Sequence, residues 1–126
     1  MRYLTPEQIL YIHHVVAEGS DVRDEGAIRS AVARPRSTFD GEDLYGTVCA
    51  KAAALLQSLL KNHPFVDGNK RAAITATGLF LAYNGRRLTA TNEELEAFTR
   101  AAAGGSHDLE ELADRIRELS AEAGDA

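Results

Sequence analysis

The sequence predicts an all-α fold in which six helices form a compact bundle around a buried central helix, with at most one short β-hairpin. Apolar residues recur at helical spacing along most of the chain, and no stretch sustains the apolar–polar alternation of a half-buried strand. With 126 residues, 44% hydrophobic and 26% charged, the chain can bury one core. We therefore expect a single domain over residues 1–126.

The first helix is predicted from a start signal at Thr5–Gln8. Threonine is a good N-cap, proline is favoured in the first helical turn, and glutamine three residues after the cap completes a capping box. Apolar residues then recur at helical spacing up to Gly19. Within this helix His13 and His14 are expected to be ordinary surface or half-buried residues, because a metal pair would lack a third ligand.

A second helix is predicted over Glu25–Ala33, and Pro35 should prevent its continuation. The polar segment Arg34–Gly41 follows, with Phe39 as its one aromatic residue. Two interpretations remain open for it. It is either a surface loop whose Phe39 enters the core, or a short hairpin.

Helix three is predicted over Glu42–Lys61, with a wide apolar face that includes Leu44. Helix four, Asn69–Tyr83, is apolar on nearly every side, so it should be the buried centre of the domain. Gly78 lies in the middle of this helix, where glycine costs about 1 kcal/mol relative to alanine. Close packing against a neighbouring element is the expected reason for it.

The C-terminal third is predicted to contain a short extended piece and two more helices. Arg86–Ala90 could be extended, and helix five covers Glu93–Ala103. Helix six is capped by Ser106 or Asp108 and runs to about Ala121.

The charge distribution and cysteine content restrict the class of protein. The net charge is −5, yet the part from Glu93 onward carries ten acidic residues and three arginines. The remainder is only weakly basic, which argues against direct nucleic-acid binding. The single cysteine, Cys49, cannot form an internal disulfide, and no signal peptide or membrane span is evident. These features predict a cytoplasmic protein with no membrane association.

The connection between helices three and four concentrates the polar chemistry of the chain. The nine residues His63–Arg71 contain a histidine, a carboxylate, a glycine, an amide and two cations. Asn69 is predicted to cap helix four, which places Lys70 and Arg71 in its first turn. Cations are unfavourable there, because the helix macrodipole is positive at this end. Their presence indicates a bound anion, most commonly phosphate.

This segment, His-Pro-Phe-Val-Asp-Gly-Asn-Lys-Arg, resembles the signature of the Fic/Doc family, roughly H-x-F-x-[DE]-[GA]-N-[GK]-R, at every constrained position. Residues 26–35 resemble the family's upstream helix, and residues 80–85 resemble the stretch after its motif helix. The resemblance is greatest to the death-on-curing (Doc) toxins. It implies the Fic/Doc fold, with ATP and Mg²⁺ as ligands and residues 34–41 as a flap that holds the target segment as an added strand.

The resemblance also implies a role for each polar residue of the motif. His63 would remove the proton of a target hydroxyl, and Asp67 would bind Mg²⁺. Lys70 and Arg71 would neutralise charge in the transition state, so that the catalytic set is His63, Asp67, Lys70 and Arg71. The phosphates would be bound by Gly68, Asn69, Lys70 and Arg71. Phe65 is expected to face inward and anchor the loop.

Two departures from the nucleotidyl-transferring members of the wider family bear on the reaction. Nucleotidyl-transferring Fic proteins usually have a second arginine where this chain has Ile74, and a glycine where it has Lys70. Both differences match the Doc toxins, which phosphorylate their target. Gly68 is instead typical of Fic proteins, because Doc toxins tend to have alanine there.

Three functions therefore remain open. The first is a toxin of a type II toxin–antitoxin system that transfers the γ-phosphate of ATP to a Ser or Thr hydroxyl of a translation factor, by resemblance elongation factor Tu. The second is an AMP-transferase that modifies a protein hydroxyl. The third is a non-catalytic antitoxin-binding module. No internal inhibitory motif of the form [ST]-x-x-x-E-[GN] is found, so we expect inhibition by a separate antitoxin with a disordered segment.

Overall fold

The computed structural model describes residues 1–124 and contains six α-helices within that range, as the sequence predicts. In chain order they are α1 (Pro6–Val16), α2 (Glu25–Ala33), α3 (Val48–Asn62), α4 (Asn69–Tyr83), α5 (Asn92–Ala103) and α6 (Leu109–Glu118). Four short strands form two antiparallel pairs, and they are β1 (Thr38–Phe39) with β2 (Glu42–Asp43), and β3 (Arg86–Leu88) with β4 (Ser120–Glu122). A 3₁₀ turn, Arg34–Arg36, connects α2 to β1.

The core surrounds α3, which contacts α2, α4, α5 and α6. Ten of its fifteen residues are buried, and the run Ala52–Ala54 is fully enclosed. The sequence predicts α4 as the most buried helix, but α4 buries only six of its fifteen residues. The reason is that α4 exposes one side, which includes Lys70, Arg71 and Thr75. This exposed side belongs to the candidate site.

The segment before α3 differs from the prediction. Helix three begins at Val48 and not at Glu42, because Thr47 caps it by accepting a hydrogen bond from the Ala50 N–H at 3.0 Å. Residues 42–43 instead pair with residues 38–39 as a hairpin, with the turn at 40–41. A hairpin is therefore present as predicted, but it covers residues 38–43 and not 34–41. The alternative with Phe39 in the core is wrong, since that side chain is 72% exposed, and Leu44 also lies outside the core.

The C-terminal end also differs from the prediction. Thr91 and Asp108 each close a capping box at the start of α5 and α6. At the first of these, hydrogen bonds from Thr91 hold the pKa of the Glu94 carboxyl below its usual value. Helix α6 ends at Glu118 and does not reach Ala121, because residues 120–122 pair with β3. The extended piece after α4 is confirmed, while its partner strand was not predicted.

Gly78 is explained by close packing, as predicted, although the neighbour is a strand residue. A Cβ added at Gly78 would lie 3.0 Å from Leu88 Cδ1 of β3. Within residues 1–124, no helix combines the length and apolar character that crossing a membrane requires.

Candidate active site

The predicted motif forms the connection between α3 and α4 and presents its polar side chains on the surface. His63 is the C-cap of α3 and adopts a left-handed conformation with φ +45°. His63, Asp67, Lys70 and Arg71 are all exposed, and all four lie in the first turn of α4 or in the loop that leads into it. Phe65 is only 1% exposed and faces inward, which confirms its predicted anchoring position.

The backbone of the motif loop is held by the segment that joins α1 to α2. The Pro64 carbonyl accepts hydrogen bonds from the Arg23 and Asp24 N–H groups at 2.7 and 3.0 Å. The Val66 N–H donates to the Asp21 carbonyl at 2.9 Å, and the Arg23 guanidinium donates to the His63 carbonyl at 2.7 Å. The loop is thus fixed before any ligand binds, and a fixed loop loses little entropy on binding.

His13 of α1 and Ser20, which follows α1, fix the peptide groups of Asp67. The buried ring of His13 stacks on Phe65 at a centroid distance of 3.7 Å, and its Nε2 lies 2.9 Å from the Asp67 carbonyl oxygen. The Ser20 hydroxyl accepts from the Asp67 N–H at 3.0 Å and donates to the Asp67 carbonyl at 3.2 Å.

Sequence reasoning missed the position of His13, which is buried and neither at the surface nor half-buried. Its spacing of four residues from the buried Ile9 could have indicated burial, because residues at i and i+4 share a helix face. No local sequence feature could have indicated that His13 contacts Asp67, because the two residues are 54 positions apart. His14, by contrast, is exposed as expected.

Gly68 adopts a left-handed backbone conformation, with φ +78°, which glycine accommodates without strain. It also packs tightly, since a Cβ built on Gly68 would lie 2.4 Å from the Ala17 Cβ. Its N–H donates to Asp67 Oδ1 at 2.8 Å. The close approach of α1 therefore excludes a side chain here in addition to the backbone requirement.

Replacing Gly68 with alanine should destabilise the protein by about 2–4 kcal/mol, because left-handed backbone strain and overpacking both act. The double variant Ala17→Gly/Gly68→Ala should be about 1–2 kcal/mol more stable than Gly68→Ala alone, because the overpacking against Ala17 is relieved. Urea unfolding of the wild type, both single variants and the double variant measures this coupling. If the two single effects simply add, the contact with Ala17 is not what excludes a side chain.

Asn69 has a different position from the one predicted. Gly68 is the N-cap of α4, and Asn69 is the first residue of the helix. The Asn69 side chain closes the loop on itself, because Oδ1 accepts from the Phe65 N–H at 3.0 Å and Nδ2 donates to the Phe65 carbonyl at 2.9 Å. This amide is therefore occupied in loop closure.

The N-terminus of α4 is open, unlike the other helix starts of residues 1–124. No side chain caps its first-turn N–H groups. The other five helices are each capped by a side-chain oxygen, from Thr5, Asp24, Thr47, Thr91 and Asp108. Uncapped N–H groups beside the exposed Lys70 and Arg71 suit an anion such as phosphate.

The Asp67 carboxylate fits a magnesium ion held jointly with a nucleotide. Its Oδ1 accepts the Gly68 N–H, while Oδ2 accepts no hydrogen bond from residues 1–124. Mg²⁺ commonly uses one or two carboxylates together with phosphate oxygens and water. Among the described residues no group of three His, Cys, Asp or Glu side chains lies close enough to hold a metal.

A cavity of about 780 Å³ extends from the motif cations along α4 towards α5. Its floor is apolar, and it includes Val16, Ile74, Leu88 and Leu95. Its charged and polar lining residues are Lys70, Arg71, Thr75, Asn92, Glu96, Thr99 and Arg100.

Comparison of the sequence with known proteins identifies the family of this chain. The sequence model of the Fic/DOC family matches residues 3–81. The chain belongs to the Fic/DOC family. It is 40% identical over 124 residues to a protein named Toxin Doc from Mycolicibacterium smegmatis, covering 96% of this chain and 95% of that protein. It is 28% identical over 123 residues to a protein named Protein kinase doc from Escherichia phage P1, covering 94% of this chain and 96% of that one.

Family membership and the first of these relatives confirm the resemblance drawn from the motif, and the six helices of the structure confirm the fold class that it implies. The match extends from α1 into α4, so it includes the segment between α1 and α2 that hydrogen-bonds the motif loop as well as the motif itself. In this Fic/DOC chain the position of the second arginine of nucleotidyl-transferring members is occupied by Ile74, which lines the cavity beside Arg71.

Proposed function

We propose that this chain is a Doc-type toxin that transfers the γ-phosphate of ATP to a Ser or Thr hydroxyl of a translation factor, with elongation factor Tu as the expected target. The observation that carries the proposal is the uncapped N-terminus of α4. Lys70 and Arg71 are exposed in its first turn, and His63 and Asp67 are exposed on the preceding loop, whose backbone is already fixed.

His63 acts as the general base in this proposal. It takes the proton of the target hydroxyl as the hydroxyl oxygen attacks the γ-phosphorus. A new oxygen–phosphorus bond forms, the bond from the γ-phosphorus to the β–γ bridging oxygen breaks, and ADP leaves. The exposure of His63 leaves its ring accessible to a protein substrate, and the Arg23 contact holds its backbone.

The remaining motif residues stabilise the transferred group. Lys70, Arg71 and the first-turn N–H groups of α4 bind the phosphoryl oxygens on which charge spreads. Asp67 would hold Mg²⁺, which neutralises phosphate charge when bound. Gly68 allows α1 to approach the loop closely, and Asn69 contributes by closing the loop. Both residues therefore support the phosphate site by fixing the shape of the loop.

The target segment is proposed to bind along the hairpin β1–β2 as an added strand. Both strands are exposed, and a two-stranded ribbon has an unpaired edge on each side. Such pairing uses backbone hydrogen bonds, while side-chain pockets give specificity. Exposed Phe39 is the residue of the hairpin best suited to contact a target side chain.

Phosphorylation is favoured over AMP transfer by two residues. AMP transfer requires the α-phosphate at the hydroxyl, with the terminal phosphates deeper in the site. Lys70 and Ile74 reduce the room and the positive charge available for those phosphates. The relative named as a protein kinase supports the same conclusion. Gly68 keeps AMP transfer as the second candidate.

The proposal is tested by mixing the purified chain with elongation factor Tu and with ATP that is labelled at either the γ- or the α-phosphate. We expect the target to be labelled from the γ-position only. Label from the α-position alone would replace the kinase by an AMP-transferase. No label from either, with nucleotide bound, would favour a non-catalytic module.

We propose further that a separate antitoxin chain inhibits this site in the cytoplasm, where its target also resides. The apolar floor of the cavity between α4 and α5, with charged residues at its edges, suits an amphipathic segment that orders on binding. The relative named Toxin Doc supports a toxin–antitoxin pair. Wild-type chain that is active in vitro yet harmless when expressed alone would contradict this.

A further inference from the structure

Lys51 is a lysine buried in the protein interior beneath the hairpin. It lies in the first turn of α3, and its side chain is only 2% exposed. Its ammonium donates to the Pro35 carbonyl at 3.1 Å and to Asp43 Oδ2 at 3.2 Å. The same Nζ lies 5.6 Å from the centre of the Tyr3 ring, a cation–π distance. A buried ammonium requires such partners, because burial removes its hydration.

The two acceptors of Lys51 come from opposite sides of the hairpin. Pro35 lies in the 3₁₀ turn before β1, and Asp43 lies in β2, where it pairs with Thr38. One ammonium therefore joins both ends of the hairpin to α3. Arg34 makes a second connection at the base, where it donates to the Tyr45 hydroxyl at 2.9 Å and to Ser58 Oγ at 3.1 Å.

The strands themselves have little other attachment. All four strand residues are exposed, and their one hydrogen bond to the rest of the described chain, residues 1–124, is the Asp43–Lys51 contact. The 3₁₀ turn and the residues after β2 can hold the base, but they do not fix the direction in which the strands leave it.

We infer that Lys51 is a positioning residue for the protein substrate, because it holds the hairpin in the orientation that receives the target segment. This inference rests on the proposed function, in which the target pairs with the hairpin. Lys51 does not touch the reacting atoms and lies outside the motif. It should therefore affect binding of the protein target and leave nucleotide binding unchanged.

The test compares Lys51→Met with the wild type. Methionine has a similar length and packs well in a core, but it cannot donate to Asp43. We expect faster hydrogen exchange of the hairpin amides, including the Leu44 N–H that donates to the Ser37 carbonyl. The KM for the protein target should rise about tenfold, since an unfixed hairpin must be ordered on binding. The kcat at saturating target and the KM for ATP should stay within about twofold.

Asp43→Ala removes the same contact from the exposed side and should reproduce both effects, so the inference stays testable if Lys51→Met fails to fold. Lys61→Met is the matched control, because it removes an exposed lysine from the same helix. Unchanged hairpin exchange, or an unchanged target KM, in the Asp43 variant would overturn the inference. Wild type that transfers no γ-phosphate would overturn the proposed function, whereas the exchange data would still decide whether Lys51 holds the hairpin.

Discussion

Replacing His63 with asparagine should lower the rate of γ-phosphate transfer by a factor of about 10² to 10⁴, the usual contribution of a general base. Asparagine is the informative substitution because position 63 has φ +45°, and asparagine tolerates the left-handed region better than alanine does. The carbonyl that accepts from Arg23 belongs to the backbone and is retained. Single-turnover transfer to the target measures the effect.

Two controls separate chemistry from folding in the His63 variant. Its urea midpoint should match that of the wild type, and its affinity for MgATP should change little, because His63 is proposed to act on the hydroxyl. His63→Ala should lose transfer as well. If His63→Asn phosphorylates the target at the wild-type rate, the assignment of the base is wrong.

Replacing Asp67 with asparagine should weaken magnesium-dependent ATP binding by about 10- to 100-fold, the size of effect seen when a metal site loses a supporting group. The amide oxygen of asparagine can still accept the Gly68 N–H, so the loop should keep its conformation. The negative charge and the free Oδ2 oxygen offered to the cation are lost, because an NH2 group takes the place of Oδ2. Calorimetric titration with ATP, with and without Mg²⁺, measures the difference.

The control for Asp67→Asn is Asp21→Asn, which makes the same charge change next to the loop. The Asp21 contact with the Val66 N–H is made by the backbone carbonyl and survives this substitution. If Mg²⁺ strengthens ATP binding to the Asp67 variant as much as it does for the wild type, the ion is held by other residues.

The sequence by itself determined the six helices, because the signals for them are local. The capping boxes at Thr5, Thr91 and Asp108 join residues three apart, and helical periodicity joins residues three or four apart. The left-handed Gly68 was predictable in the same way, from a glycine between a carboxylate and a helix start. The two cations in the first turn of α4 are likewise a local signal, because their unfavourable placement at the positive end of a helix dipole indicates an anion site.

The boundaries that sequence reasoning placed wrongly depend on competition between elements. Glu42–Asp43 has the composition of a helix start, yet it pairs with Thr38–Phe39, and Thr47 provides the better cap. Ser120–Glu122 leaves α6 because Arg86–Leu88 offers a strand edge. Neither pairing has a signal in its own residues, since runs of two or three residues are too short to show alternation.

What only the tertiary structure decided is how the site is supported. His13 fixes Asp67, Arg23 fixes His63, and Lys51 holds the hairpin through Asp43. The first two contacts join residues 54 and 40 positions apart. Even Lys51 and Asp43, eight positions apart, meet only because the hairpin folds back over α3. Such contacts depend on the path of the whole chain, which propensity and periodicity do not encode, because both describe a residue's nearest neighbours in sequence.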